Sequence, residues 1–178
     1  MNDQTFRFND TGLQNLLKVL GSDHAVRVGI FGGQHFEAGN KRKIGADQGR
    51  GGGRTKSSTP SGLTNADVGF TMEFGRPKTG AEPRIPARSW LRMPIFTKIN
   101  QIVADSARGF NEAVKDGDAL RFLTIIGINA EKWIGIAFDT RGFGSWAPNA
   151  AATIEMKGSD TPLIDTGQLR RSVASQVL

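Results

Sequence analysis

The chain has 178 residues, 38% hydrophobic and 22% charged, with a formal net charge of +6; that length suits one domain burying about 70% of its unfolded-chain surface. It contains no cysteine, which excludes disulfide frameworks, thiol catalysis and cysteine-ligated zinc. The basic balance fits either a polyanionic partner, nucleic acid above all, or a modestly basic surface with no specific partner.

The N-terminal MNDQTFRFNDTG lacks the basic-then-apolar pattern of a signal peptide. From Thr11 to Leu20, the leucines Leu13, Leu16, Leu17 and Leu20 recur at helical spacing, and Gly21 stops the run. Ala25–Phe31 then alternates Val26, Val28 and Ile30 against Arg27 and Gly29, which predicts a strand with one buried face. Residues 32–63 differ in kind. They hold nine glycines and six basic residues (Lys41, Arg42, Lys43, Arg50, Arg54 and Lys56) against two acidic ones, +4 of the chain's charge. So little apolar area does not offset the entropy of ordering, so the segment reads as a long flexible basic loop. Two readings of its charge stand. It contacts DNA phosphates, in a salt-dependent way that reads no sequence, or it is a solvated loop that orders against a neighbouring subunit. Phe36 is its single aromatic residue, so base stacking is not expected.

Order resumes at Thr64. TNADVGFTMEFG spaces Thr64 and Asp67 as a capping box and ends at Gly75, which favours a helix over the strand its alternation also permits. Val68, Thr71, Met72 and Phe74 form its expected apolar edge. Pro77, Pro83, Pro86 and Pro94 then set an extended connector, anchored by Trp90 and Leu91. Pro94 suits the first turn of a helix, with Ile95, Ile99, Ile102, Val103, Ser106, Phe110 and Val114 on one face and a break at Asp116–Gly117. A second long helix is expected over Ala119–Phe138, with Leu120, Leu123, Gly127, Ala130, Ile134 and Ala137 inward, forming an antiparallel hairpin with the first. Arg121, Asn129, Glu131 and Lys132 exclude it as a membrane span. Its Gly127 and Gly135 lower helix propensity and permit close helix approach. Beyond a glycine-rich turn, Trp146 and Pro148 precede a short helix that Asn149 is placed to cap. The tail then reads as core: Leu163, Ile164 and Leu169 cover the sheet and hairpin, Asp165 or Thr166 caps a last helical turn, and Val173 and Val177 close a strand against Ala25–Phe31. Together the elements predict an α+β fold. It is a single domain over residues 1–178, with a small antiparallel or mixed sheet packed against a long helix hairpin and the 32–63 loop inserted.

Catalytic patterns are weak. GRGGGRTKS imitates a phosphate-binding loop, but Thr55 stands where glycine should precede Lys56–Ser57. His24 at the start of a strand and His35 in the loop are the only histidines, and neither looks preorganised for base catalysis. Asp160 with Asp165, and Asp116 with Asp118, lack the spacing of a calcium loop. No catalytic, metal or cofactor site is expected. Core packing is the default for Trp90, Trp133 and Trp146; Trp90, on a proline-rich connector, is the one an interface would expose.

Two blocks carry a resemblance. MEFGRPKTGAEPRIPARSWLRMPI (Met72–Ile95) and WAPNAAATIEMKGSDTPLIDTGQLRRSV (Trp146–Val173) resemble, in the same order, two blocks of tailed-phage virion morphogenesis and tail completion proteins. Glu73, Phe74, Gly75, Pro86, Ala87, Arg88, Leu91 and Arg92 match the first. Trp146, Pro148, Lys157, Gly158, Pro162, Leu163, Ile164, Asp165, Thr166, Gly167, Leu169, Arg170 and Ser172 match the second. The chain departs at Ser89–Trp90, where the family commonly has proline–phenylalanine, and in its long 32–63 loop. The resemblance implies a non-enzymatic α/β subunit of the virion head–tail junction, assembled in the host cytoplasm as a homo-oligomeric, hexameric ring around the DNA channel. Its partners would be its own copies, other neck and tail proteins and the channel DNA, with no membrane, cofactor or small-molecule substrate. The alternative is a non-specific nucleic-acid-binding protein acting through the basic loop.

Overall fold

The computed structural model describes residues 11–21, 23–31, 63–80 and 84–178. The six basic loop residues, Lys41 to Lys56, and His35 lie outside them. The fold is α+β: helices and a two-stranded antiparallel sheet packed against a long helix hairpin. In chain order the elements are α1 (Thr11–Leu20), β1 (Val26–Ile30), α2 (Asn65–Phe74), α3 (Arg92–Asp116), α4 (Ala119–Asp139), α5 (Ala151–Lys157), α6 (Gln168–Arg171) and β2 (Val173–Val177). No helix among the described residues is long and apolar enough to cross a membrane. The chain forms two compact units, each discontinuous in sequence: Met1–Val28, Ile95–Trp133 and Ala174–Leu178 in one, Gly29–Pro94 and Ile134–Val173 in the other.

The first unit is built on the α3–α4 hairpin. Its cross-helix partners recede from the turn in step, as antiparallel helices require. Phe110 meets Phe122 edge-on at 5.0 Å, Gly109 meets Ile125, and Asn129 Nδ2 donates to Ser106 Oγ at 2.9 Å. Beyond these, Lys132 Nζ and Trp133 Nε1 both donate to Asp105 Oδ2, at 2.9 and 3.2 Å. At the turn, Asp118 Oδ1 accepts the Arg121 N–H and Asp116 pairs with the Arg121 guanidinium; these carboxylates hold the hairpin. The buried face of α3 is Ile102, Ser106, Gly109 and Ala113, whereas Ile99 and Val103 are exposed. Those two were expected inward. A 3.6-residue period marks apolar residues, but a close helix contact selects small ones.

Close approach also differs from expectation. Gly127 meets the sheet rather than a helix: a Cβ there would lie 2.5 Å from Ser175 Oγ of β2. Ala25 and Leu178 exchange both backbone hydrogen bonds, so β2 runs antiparallel to β1 and supplies the expected closing strand. On α1, Val19 is buried while Leu13, Leu17 and Leu20 are exposed. The helix docks through a side chain instead, with Asn15 Nδ2 donating to the Lys115 carbonyl at 2.8 Å.

The second unit is built on α2 and the aromatic residues around it. Thr64 and Asp67 form the expected capping box. The buried face of α2 is not Val68, Thr71, Met72 and Phe74 but Asn65, Gly69 and Glu73, with Phe74 exposed. Gly69 explains the difference. Its missing side chain leaves room for Trp90, Ile30 and Leu169, whose atoms lie 3.0–3.4 Å from where a Cβ would stand. Trp90 fills that space and donates Nε1–H to the Gly69 carbonyl at 2.8 Å. It is 3% exposed, so the interface reading of Trp90 is replaced by core packing. Phe138 packs between Trp90 and Trp146, tilted against the first and edge-on to the second, with ring centroids at 6.2 and 5.6 Å. Burying three such rings supplies much of this unit's hydrophobic stabilisation.

Candidate functional site

The two blocks singled out in the sequence fold onto one another within the second unit. Gly75, at φ 73° and ψ 177°, ends α2 where a Cβ would fall 2.7 Å from the Ala87 backbone nitrogen. Only glycine allows so close a return. The chain doubles back, Arg76 and Ile85 exchange backbone hydrogen bonds, and the Arg88 N–H reaches the Met72 carbonyl at 2.7 Å.

Glu73 organises the returning segment and the start of α3. Its carboxylate accepts hydrogen bonds from Ser89 Oγ (2.7 Å), Leu91 N (2.9 Å), Arg92 N (3.3 Å) and Arg92 Nε (2.8 Å). Ser89 Oγ in turn accepts the Met93 N–H, fixing the first turn of α3. Burial raises the Glu73 proton affinity, yet the four donors together outweigh it and hold the carboxyl below its ordinary pKa. The guanidinium of Arg92 lies 4.4 Å over the ring of Phe74.

Arg88 and Trp146 stitch the first block to the second. Arg88 Nε donates to the Ala147 carbonyl at 2.8 Å and Nη2 to the Pro148 carbonyl at 2.9 Å. Trp146 Nε1 donates to the Ser89 carbonyl at 3.2 Å. Asn149, expected as a helix cap, is a further tie. It accepts from Arg88 and donates to the carbonyls of Asp160 and Thr161, while α5 has Ala150 at its N-cap position, with no side-chain cap.

Behind this seam lies a groove of about 690 Å³, lined by Val68, Met72, Ile85, Pro86, Arg88, Lys157, Leu163, Asp165 and Leu169 among others. Leu163 stands on its wall at φ 60°, a left-handed conformation that is strained for a leucine. Lys157 Nζ donates to the Thr161 carbonyl at 3.0 Å, and burial pushes its pKa down. Leu169, 4% exposed, packs on α2 at Gly69 as a core residue. Gly167 holds the N-cap position of α6 at φ 74°. The Thr166 hydroxyl accepts the Gln168 N–H at 3.3 Å, while Asp165, the other expected cap, lines the groove.

The structure thus gathers Glu73, Gly75, Pro86, Arg88, Trp90, Leu91, Trp146, Pro148, Leu163, Asp165, Thr166, Gly167 and Leu169 in one unit. Arg170 belongs to the same unit but lies at its surface, pairing in two-point fashion with Asp139 at 2.6 and 2.7 Å. Gly69, Ser89 and Asn149 carry roles that sequence pattern alone does not assign. A glycine in mid-helix was the available signal for the first. His24 hydrogen-bonds the Leu178 carbonyl at 3.0 Å, and among the described residues no three metal-ligating side chains cluster. Searches of family models, curated proteins and solved structures find no match to the chain.

Proposed function

We propose that the chain is a structural subunit of a tailed-phage virion, acting at the head–tail junction as a tail completion, tail terminator or neck connector protein. It works as a homo-oligomeric, hexameric ring around the DNA channel, in contact with neighbouring neck and tail proteins. The observation that carries this reading is the seam between the two blocks. Glu73, Arg88, Trp90 and Trp146 use their polar atoms on backbone groups and on the side chains of Ser89, Arg92 and Asn149. Such side chains are shaped to fix a scaffold, which is the work of an assembly subunit. Exposed Phe70, Phe74 and Phe96 add apolar surface of the kind that contacts between copies bury.

Negative-stain imaging of the purified chain, with and without isolated phage tails, tests the reading. Ring-shaped particles, free or at one tail end, are the expected result. A chain that stays monomeric and binds neither tails nor heads overturns it. If the same monomer instead binds duplex DNA and loses affinity steeply between 50 and 200 mM salt (roughly 10³-fold for several phosphate contacts), the basic 32–63 loop carries the function.

A further inference from the structure

The groove of the second unit holds more positive than negative charge. Arg88 is 7% exposed, its Nε and Nη2 donate to neutral oxygens, and no carboxylate among the described residues forms an ion pair with it. Lys157 lies close enough that the two cations oppose one another, with Asp165 as the opposing carboxylate. Burial works against the charge on both cations, and a counter-ion here relieves that penalty.

The rest of the wall selects the ligand's body. Val68, Met72, Ile85, Leu163 and Leu169 are apolar. Several polar groups a peptide backbone would need are engaged: Ile85 N–H and C=O with Arg76, and the Asn149 amide with Asp160 and Thr161. A ligand with one anionic head and a hydrocarbon body asks little of the backbone groups already engaged. Arg84 also lines the groove but is exposed; the two less exposed cations, Arg88 and Lys157, facing one carboxylate suit a monoanion, whereas a phosphate dianion would meet the charge of Asp165. The volume, about 690 Å³, falls within the roughly 300–1,000 Å³ of small-ligand sites.

We propose that this groove binds an aliphatic monocarboxylate, its head between Arg88 and Lys157 and its chain along Met72, Ile85 and Leu163. The proposal stands apart from the head–tail reading, and either can fail alone. The test is calorimetric titration of the full chain with octanoate and, separately, with 1-octanol. Octanoate is expected to bind at one site, at least tenfold tighter than the alcohol. Lys157→Met should weaken octanoate at least tenfold and leave octanol within twofold, whereas Lys157→Arg should retain octanoate binding. Met72→Trp, which fills the groove, should lose both ligands while its melting curve stays cooperative. No octanoate binding to the wild type, equal binding of acid and alcohol, or a Lys157→Met chain that binds octanoate unchanged each overturns the proposal.

Discussion

At the residue scale, Glu73 shows how a single buried group ties local structure to pH. Burial favours its protonated form and the donors on Ser89, Arg92 and Leu91 favour the ionised form; the donors win, so its folded pKa lies below the unfolded one. The contribution to stability is therefore fully present above the ordinary glutamate pKa of about 4.3 and is lost as pH falls through the depressed folded value. Glu73→Gln keeps the shape but loses the charge, and should cost about 2 kcal/mol at pH 7. The gap between variant and wild type should narrow as pH drops below about 4. Urea unfolding at both pH values measures it, and a gap of equal size at both would refute the assignment. Nothing local in the sequence marks Glu73 for this role. Its partners lie 16 to 19 residues onward. No local pattern connects such positions.

At the element scale, the elements themselves were legible while their buried faces were less so. The bounds of α1, the hairpin of α3 and α4, the capping box of α2 and the closing strand β2 all follow from spacing and end signals. Faces are chosen by the partner, which periodicity does not contain: Ile99 and Val103 point to solvent because α4 takes Ser106, Gly109 and Ala113 instead. The seam of Arg88 with Ala147 and Pro148 was equally hidden, since nothing in either block names the other's backbone as partner. The contact at Gly109 gives the sharpest test. A Cβ there runs into Ile125 Cδ1, so Gly109→Ala overpacks the hairpin, a cost of about 1–3 kcal/mol, offset in part by alanine's helix preference of about 1 kcal/mol. Net destabilisation near 1 kcal/mol is expected in thermal melts. In an Ile125→Ala background the same change has room, and it should turn neutral or stabilising. Additive effects in this double-mutant cycle would show that the two positions are not in contact.

At the scale of the whole molecule, the interleaving of the two units decides what the C-terminal tail is for. Each unit takes chain from several stretches of the sequence, and each includes part of the tail. Val173 and the segment before it complete the second unit; Ala174–Leu178 complete the first. Pro162 is fully buried and Leu169 nearly so, the two seats of the Asn149 amide are the carbonyls of Asp160 and Thr161, and β1 has β2 as its sheet neighbour. A chain truncated after Gly158 loses all of these together. Removing Leu169 alone, as Leu169→Ala, should cost about 2–5 kcal/mol; small domains have only about 5–15 kcal/mol of stability in all. Adding the loss of β2, of Pro162 and of the ties to Asn149 should exhaust that reserve, so the truncated chain should show no cooperative melt by calorimetry. Leu169→Ala should still melt cooperatively, at a lower temperature. A truncated chain with a sharp transition close to that of the full-length protein would mean that the tail decorates a core already complete without it, and the role assigned to Leu169 and β2 would fall with that result.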